Sequence, residues 1–400
     1  MRAKVFKIIG LAILAANGVF AADVGTIVVS AGEFDRKATP TRFDLPKDAG
    51  DGPFALRDET GAKIPLQIDA SKHAFFVLAE LKAGQTKTFA IEKIEVQAKG
   101  GVEAVKTGGV IDVSIGGKKV LAYQGAKTKP PEGVGAEFER GGYIFPVFTP
   151  SGKLVVDDYP PDHRHHHGIW SPWTKTEFEG RHPDFWNMGD KKGSVEVVGE
   201  PTAASGPVFA QINTKHQFVD LTATPQKIAL NETWDLTIFS LGAADAKYRL
   251  FELTITQTCA SQSPLKLPKY HYGGLGVRGR PEWLGKGDKC KFLTSVGHER
   301  DTANETTGRW GHIGGLIDGE LAGVAILCHP DNFRAPQGIR ANPQEPFFCY
   351  CASQGGDWSI EPGTPYIARY RFVVADGAPD KAELDRMWND YAKPPGVTVK

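Results

Sequence analysis

The chain has 400 residues, with 47 basic and 47 acidic side chains and no formal net charge. That balance excludes the broad positive field that draws proteins to nucleic acid or anionic membrane surfaces, and it favours neutral or weakly charged small molecules as partners. The length allows two domains or one large β domain.

In chain order, Arg2, Lys4 and Lys7 precede an apolar run from Ile8 to Ala16, and Val19-Phe20-Ala21 fits a small-x-Ala cleavage site. The run is too short to span a bilayer, so residues 1–21 read as a signal peptide. The mature protein is expected to be exported, periplasmic or extracellular, without membrane insertion, because no later run reaches the roughly 18 to 20 apolar residues of a membrane helix.

Residues 22–105 read as a small β-sandwich domain. Segments such as Thr26–Ser30, Phe54–Arg57 and Ala74–Leu78 are short, β-branched or aromatic, and separated by turns such as Asp58-Glu-Thr-Gly61. The Gly-rich stretch 97–109 reads as a linker or hairpin into a second domain, 106–400. There, strand patterning continues almost unbroken. Phe251, Leu253 and Ile255 share one face of a strand, and Tyr366, Ala368, Tyr370, Phe372 and Val374 alternate with Ile367, Arg369, Arg371 and Val373. The pattern predicts an all-β chain of large antiparallel sheets stacked face to face. One helix is expected over 380–393, with Asp380 as N-cap, Glu383 three residues on, a stripe of Leu384, Met387, Trp388 and Tyr391, and Pro394-Pro395 as the stop. The five cysteines are an odd number without paired C-x-x-C spacing, and read as buried thiols rather than a zinc site.

The stretch from Asp157 to Met188 holds the densest chemistry. It contains five of the eleven histidines and three of the eight tryptophans. Drawn as an extended strand, His163, His165 and His167 point to one face and Arg164 and His166 to the other, a candidate metal site or proton-transfer surface. Trp170, Trp173 and Trp186 could line a saccharide cleft or pack in a core. Downstream, Arg278 ends the glycine-rich Tyr270–Arg278 segment. His329, Asp331, Asn332 and Arg334 follow a buried-looking strand, and Arg340 could join the arginines as a clamp for carboxylate or sugar hydroxyls.

Asp162-His-Arg-His-His-His-Gly-Ile-Trp170, Asp184-Phe-Trp186, Gly273–Arg278 and His329–Arg334 resemble, in the same order, the blocks of a secreted bacterial family labelled methane oxygenase PmoA. The resemblance covers roughly residues 110–377. It departs at Tyr272, where that family often has an acid, so no role for that acid carries over. The family is similar to galactose-mutarotase-type β-supersandwich proteins, which implies a cleft that binds or transforms sugars.

The resulting expectation is a small sandwich followed by a large antiparallel supersandwich with one C-terminal helix. It would act by acid–base chemistry on a glycoside or keto-sugar, with His165, His167, His329, Asp331, Arg278 and Arg334 as catalytic groups. Trp170, Trp173, Trp186, Asp184, His166, Asn332 and Arg340 would bind the carbohydrate. No cofactor is required in this reading. Two rivals stand beside it: a metal-dependent oxygenase-type enzyme with a divalent metal on His163, His165 and His167 and with Asp162 or Asp158 as a further ligand, and a non-catalytic carbohydrate-binding protein.

Overall fold

A computed structural model of the chain describes residues 23–98, 100–285 and 289–400. The expected leader, 1–21, lies outside them. The described residues form antiparallel sheets with one α-helix, Lys381–Ala392. None of their helices is long and apolar enough to cross a membrane.

The N-terminal part pairs a five-stranded sheet with a three-stranded one. The first runs in the order 396–399, 23–30, 86–93, 54–58, 63–65, and the second 36–44, 73–81, 67–68. Alternation puts Ile27, Val29, Leu56, Phe76, Leu78, Phe89 and Ile91 into one core between them. The strand 396–399, which the sequence pattern had not indicated, lies beside 23–30 because Pro394-Pro395 ends the helix and sends the chain back across the N-terminal sheet.

Two large sheets follow. One runs 306–307, 338–341, 347–351, 275–278, 169–170, 143–147, 118–124, 110–115, 102–107; it is called the front sheet below. The back sheet runs 193–197, 209–220, 227–239, 248–259, 366–376, 320–328, 310–317, 290–294, with 202–204 beside 209–220. Their facing sides share one core, in which Val113, Ile144, Ile169, Val277 and Tyr350 of the front sheet meet Trp234, Leu253, Ile255, Phe372 and Ile326 of the back sheet. The two alternation patterns above are borne out: Phe251, Leu253 and Ile255, like Tyr366, Ala368, Tyr370, Phe372 and Val374, all face that core.

The helix begins where its capping signal lies, the Asp380 carboxylate accepting from the Glu383 amide at 3.1 Å. Leu384 and Met387 pack on Leu250, Ala325, Leu327 and Val373, the outer side of the back sheet. All five cysteines are free thiols, and all but Cys259 are buried.

Candidate active site

The site forms on the front sheet, where three strands distant in sequence lie side by side. Ile169 and Trp170 pair with Val277 and Gly276, and Gly276 and Arg278 pair with Cys349 and Phe347. The loop before 169, the end of 275–278 and the loop before 347 are thereby brought to one place. Gly276 is required by close approach, since a Cβ there would meet Trp186 at 2.9 Å and Trp170 at 3.1 Å.

The histidine segment is not a strand, and this corrects the expected alternation. Pro160-Pro161 breaks the extended run, and the chain closes two successive turns, His163 N–H donating to Pro160 at 3.0 Å and His166 N–H to His163 at 2.8 Å. Residues three apart then share a side. The His163 and His166 rings stack at 4.7 Å, with His165 edge-on to both at 5.6 and 4.8 Å. His167 goes the other way, fully buried between Tyr143 and Tyr159, with Nδ1 2.7 Å from Asp158. It belongs neither to the cluster nor to a common ligand set with His163 and His165.

Arg278, 1% exposed, underlies the site as its buried floor, reaching it through His166 and Glu345 without lining the open space. Its Nη2 donates to both Asp162 oxygens at 2.8 Å, and its Nη1 lies 3.8 Å from Glu345 Oε2. Nη1 also donates to His166 Nδ1 at 3.4 Å. A guanidinium has no lone pair to offer, so His166 accepts there and is neutral. Complete burial, with neighbouring imidazoles and Arg278, accordingly pushes the His166 pKa well below its ordinary value. Burial opposes ionisation of Asp162, but its hydrogen bonds to Arg278 and the charge behind them outweigh that and keep its pKa below the usual carboxylate value.

Above this floor, His163 Nδ1 lies 3.1 Å from Asp162 Oδ2 and 3.5 Å from Glu345 Oε2. The carboxylates fix Nδ1 as the donor, so that Nε2 carries the lone pair. His165 is pushed down to about 4, mainly by burial and then by the charges His163 and His167 would carry. Burial likewise pushes the Tyr272 phenol up to about 12. With Asn187, Arg340 and Glu345 these groups line a cleft of about 160 Å³.

Several expected residues support the cleft rather than enter it. Trp170 and Trp186 are buried 4.9 Å apart behind His166, and Trp173 sits in the main core against Trp358 and Tyr366, so none offers an open ring face to a sugar. Only the border of Trp186 reaches the cleft. The Asp184 carboxylate is taken up by the Trp186 and Asn187 amides, Thr174 Oγ1 and Asn187 Nδ2, and so positions Asn187.

The block from 329 to 334 does not join the site, because it continues a strand of the back sheet. The His329 ring packs on Tyr391 of the helix, and its Nδ1 accepts from the Asp331 amide, whose side chain points to solvent. Asn332 bonds both the N–H and the carbonyl of Arg369. Arg334 spends its guanidinium on the carbonyls of Ala352, Gly356 and Asp357. The expected groups brought together are therefore His163, His165, His166, Arg278 and Arg340. Glu345, Asn187, His271 and Tyr272 were not among the expected site residues; Asn187 lies in the 157–188 stretch and His271 and Tyr272 in the glycine-rich 270–278 segment, while the local signal for Glu345 was the Asn342-Pro343 turn, whose Asn342 side chain holds the Glu345 amide at 3.3 Å.

The metal reading is corrected to another donor set. Asp162, His163 and Glu345 place one ligand atom each within 4.8 Å of one another. These are suitable donors for a divalent cation, but Arg278 already occupies both Asp162 oxygens.

Among solved structures, the chain is similar to a protein in the glycosyl hydrolase family 38 from Enterococcus faecalis, with a TM-score of 0.45 and 10% identity over 94% of this chain and 47% of that one. It is also similar to an alpha-mannosidase from Enterococcus faecalis V583, with a TM-score of 0.43 and 10% identity over 95% of this chain and 47% of that one. The chain spans about half the length of either structure, and likeness at these scores carries no argument about function. No curated protein matches the chain. The model of a family of unknown function, DUF6807, matches residues 110–389, which hold the cleft and nearly all of both large sheets, and this chain belongs to that family.

Proposed function

We propose that the cleft is the active site of an acid–base enzyme acting on a sugar or keto-sugar ring held as a glycoside. The observation that carries this is His163, set between the carboxylates of Asp162 and Glu345 above the buried Arg278. A carboxylate at Nδ1 holds one tautomer and stabilises the imidazolium that forms when Nε2 takes a proton. Neutral His165 adds a second proton acceptor, and Tyr272, protonated at neutral pH, a donor. Arg340, with one nitrogen on Asn304, is available to an oxygen that gains negative charge.

The volume of about 160 Å³ is close to the roughly 150 Å³ cavity that holds a single benzene ring, and so matches one six-membered ring. Asp162 and Glu345 approach as closely as the carboxylates of retaining glycosidases, about 5 Å apart, but Arg278 commits Asp162. Proton transfer through His163, leading to elimination or hydrolysis, therefore precedes direct carboxylate attack in this reading. The resemblance of the histidine and glycine blocks to the secreted family labelled methane oxygenase PmoA, itself similar to galactose-mutarotase-type proteins, supports the sugar class. The leader-like residues 1–21 support a site of action outside the cytoplasm.

Turnover of a panel of glycosides and their keto forms, with His163→Ala and Glu345→Gln, tests the proposal. Each variant should lower kcat by about 100-fold or more while leaving the thermal midpoint nearly unchanged. A panel with no turned-over member, or full activity in His163→Ala, would sink it. A second reading rests on the donor set: Asp162, His163 and Glu345 would hold a divalent cation acting as a Lewis acid. Stoichiometric metal in tag-free protein, lost in both variants, would favour it.

A further inference from the structure

Beside the cleft lies a second, wider hollow of about 780 Å³, lined by Tyr270, His271, Glu305, Thr306, Arg334 and Gln354. His271 lines both spaces. Its ring packs against Tyr272 at 4.9 Å and Tyr270 at 4.3 Å, so three consecutive aromatic residues run from the inner cleft to the outer hollow. The arrangement is held from behind. Gln354 Nε2 donates to the His271 carbonyl at 3.0 Å, and Arg334 ties down the 352–357 segment that forms the far wall.

The two spaces differ in what they can hold. The inner one admits a single ring among titratable groups, whereas the outer one is several times larger and combines a half-buried tyrosine with hydroxyl and carboxylate groups. The Tyr270 ring, with the Lys175 ammonium over it at 5.6 Å and Tyr272 at 5.0 Å, supplies an apolar surface beside hydrogen-bonding groups, which suits a hydroxylated ring with its apolar face and polar edges.

Resting on the function proposed above, we propose that the ligand is a disaccharide or longer glycoside. Its terminal ring occupies the inner cleft, and the next ring lies in the outer hollow on Tyr270, past His271. The outer hollow is a subsite that sets substrate length, and a free monosaccharide fills only part of the site.

Saturation-transfer NMR with methyl glucoside, methyl galactoside and methyl mannoside, set against cellobiose, lactose and mannobiose, tests this in the wild type, Tyr270→Ala and Glu305→Gln. In the wild type both rings of a bound disaccharide should be saturated. The disaccharide should bind roughly five- to tenfold more tightly than its methyl monosaccharide, the gain expected of one added aromatic contact. Tyr270→Ala should abolish the outer-ring signal and that gain, leaving the monosaccharide unaffected, and Glu305→Gln should weaken the disaccharide alone. Saturation of one ring only, equal affinities for the two ligand sizes, or disaccharide binding unchanged in both variants would overturn the outer subsite while leaving the inner site standing. Saturation of no sugar by any protein would overturn the proposed function, and the subsite with it.

Discussion

Arg278 is buried at the cleft floor, with both oxygens of Asp162 on one nitrogen and Glu345 near another. Replacing it by Met leaves two carboxylates facing each other without a counter-charge. We expect Arg278→Met to cost roughly 2 kcal/mol in urea denaturation and to abolish turnover. Arg278→Lys, which keeps the charge but not the fork, should recover part of the stability and little of the activity. The arginine was legible in the sequence as the end of a glycine-rich strand, but its carboxylate partners were not. Asp162 was indicated only as the head of the histidine block and a possible metal ligand, and Glu345 sits in a loop marked by no more than the Asn342-Pro343 turn, far from Asp162 in sequence. Their meeting is set by strand order, which local patterning does not encode.

Buried histidines, in the cleft and away from it, set a pH dependence. Burial lowers the pKa values of His165 and His312 to about 4, and that of His166 well below the ordinary value. The unfolded chain then binds more protons than the folded one below about pH 6.5, so stability is full above that pH and falls as the pH drops towards 4. For His312, buried in the back sheet away from the cleft, the displacement is worth about 3 kcal/mol. Denaturation midpoints at pH 7, 5 and 4 should fall in that order. His312→Asn should flatten the fall, and an unchanged slope in that variant would show that its imidazole is not held neutral.

Individual elements were legible where local chemistry and packing agree. The strand 366–376 has period-2 alternation because one side fills the inter-sheet core while the other meets the helix and solvent, and the helix carries both its cap and its apolar stripe. The histidine segment misled because its alternation is only nominal: Pro160-Pro161 and the turns closed by Pro160 and His163 override it. The tryptophans misled for another reason, since ring size draws them into the core whatever their binding potential. The helix also makes a contact that patterning does not reveal. Asp390, buried on it, accepts from Arg36 at 3.0 Å, Thr39 at 2.9 Å and Arg386 at 2.5 Å, joining helix and N-terminal sheet. Asp390→Ala would leave the Arg36 guanidinium buried without its carboxylate, and should cost about 3 kcal/mol, read from the urea midpoint. A loss below about 0.5 kcal/mol, the scale of an exposed pair, would refute that.

At the scale of the whole molecule, the division of strands between two sheets decides which loops can share a site. Residues 163–166, 278, 340 and 345 lie in front-sheet strands or in the loops beside them, whereas His329 and Asn332 sit at the end of a back-sheet strand, held there by Tyr391 and Arg369, and so the blocks expected to converge separate into two groups. The sequence indicated two-sheet stacking through its alternation, but assignment of strands to sheets depends on long-range pairing. The strand 396–399 shows the same limit, and it supports the last prediction. It pairs along 23–30 from Ile27↔Val399 to Ser30↔Gly396, and Val397 and Val399 pack on the N-terminal core. Without it, 23–30 becomes an open edge and two valines leave that core, a loss of about 3 kcal/mol if each valine contributes about 1.5. That core is distinct from the one between the large sheets, so the loss should fall on the N-terminal part first. Deleting residues 394–400 should therefore introduce an earlier, smaller transition in calorimetry, with the main transition shifted little. Val397→Ala with Val399→Ala should give an intermediate effect. A deletion variant that unfolds at the wild-type temperature in the wild-type number of steps would show that Arg36–Asp390 and the helix contacts hold the N-terminal sheets without the closing strand.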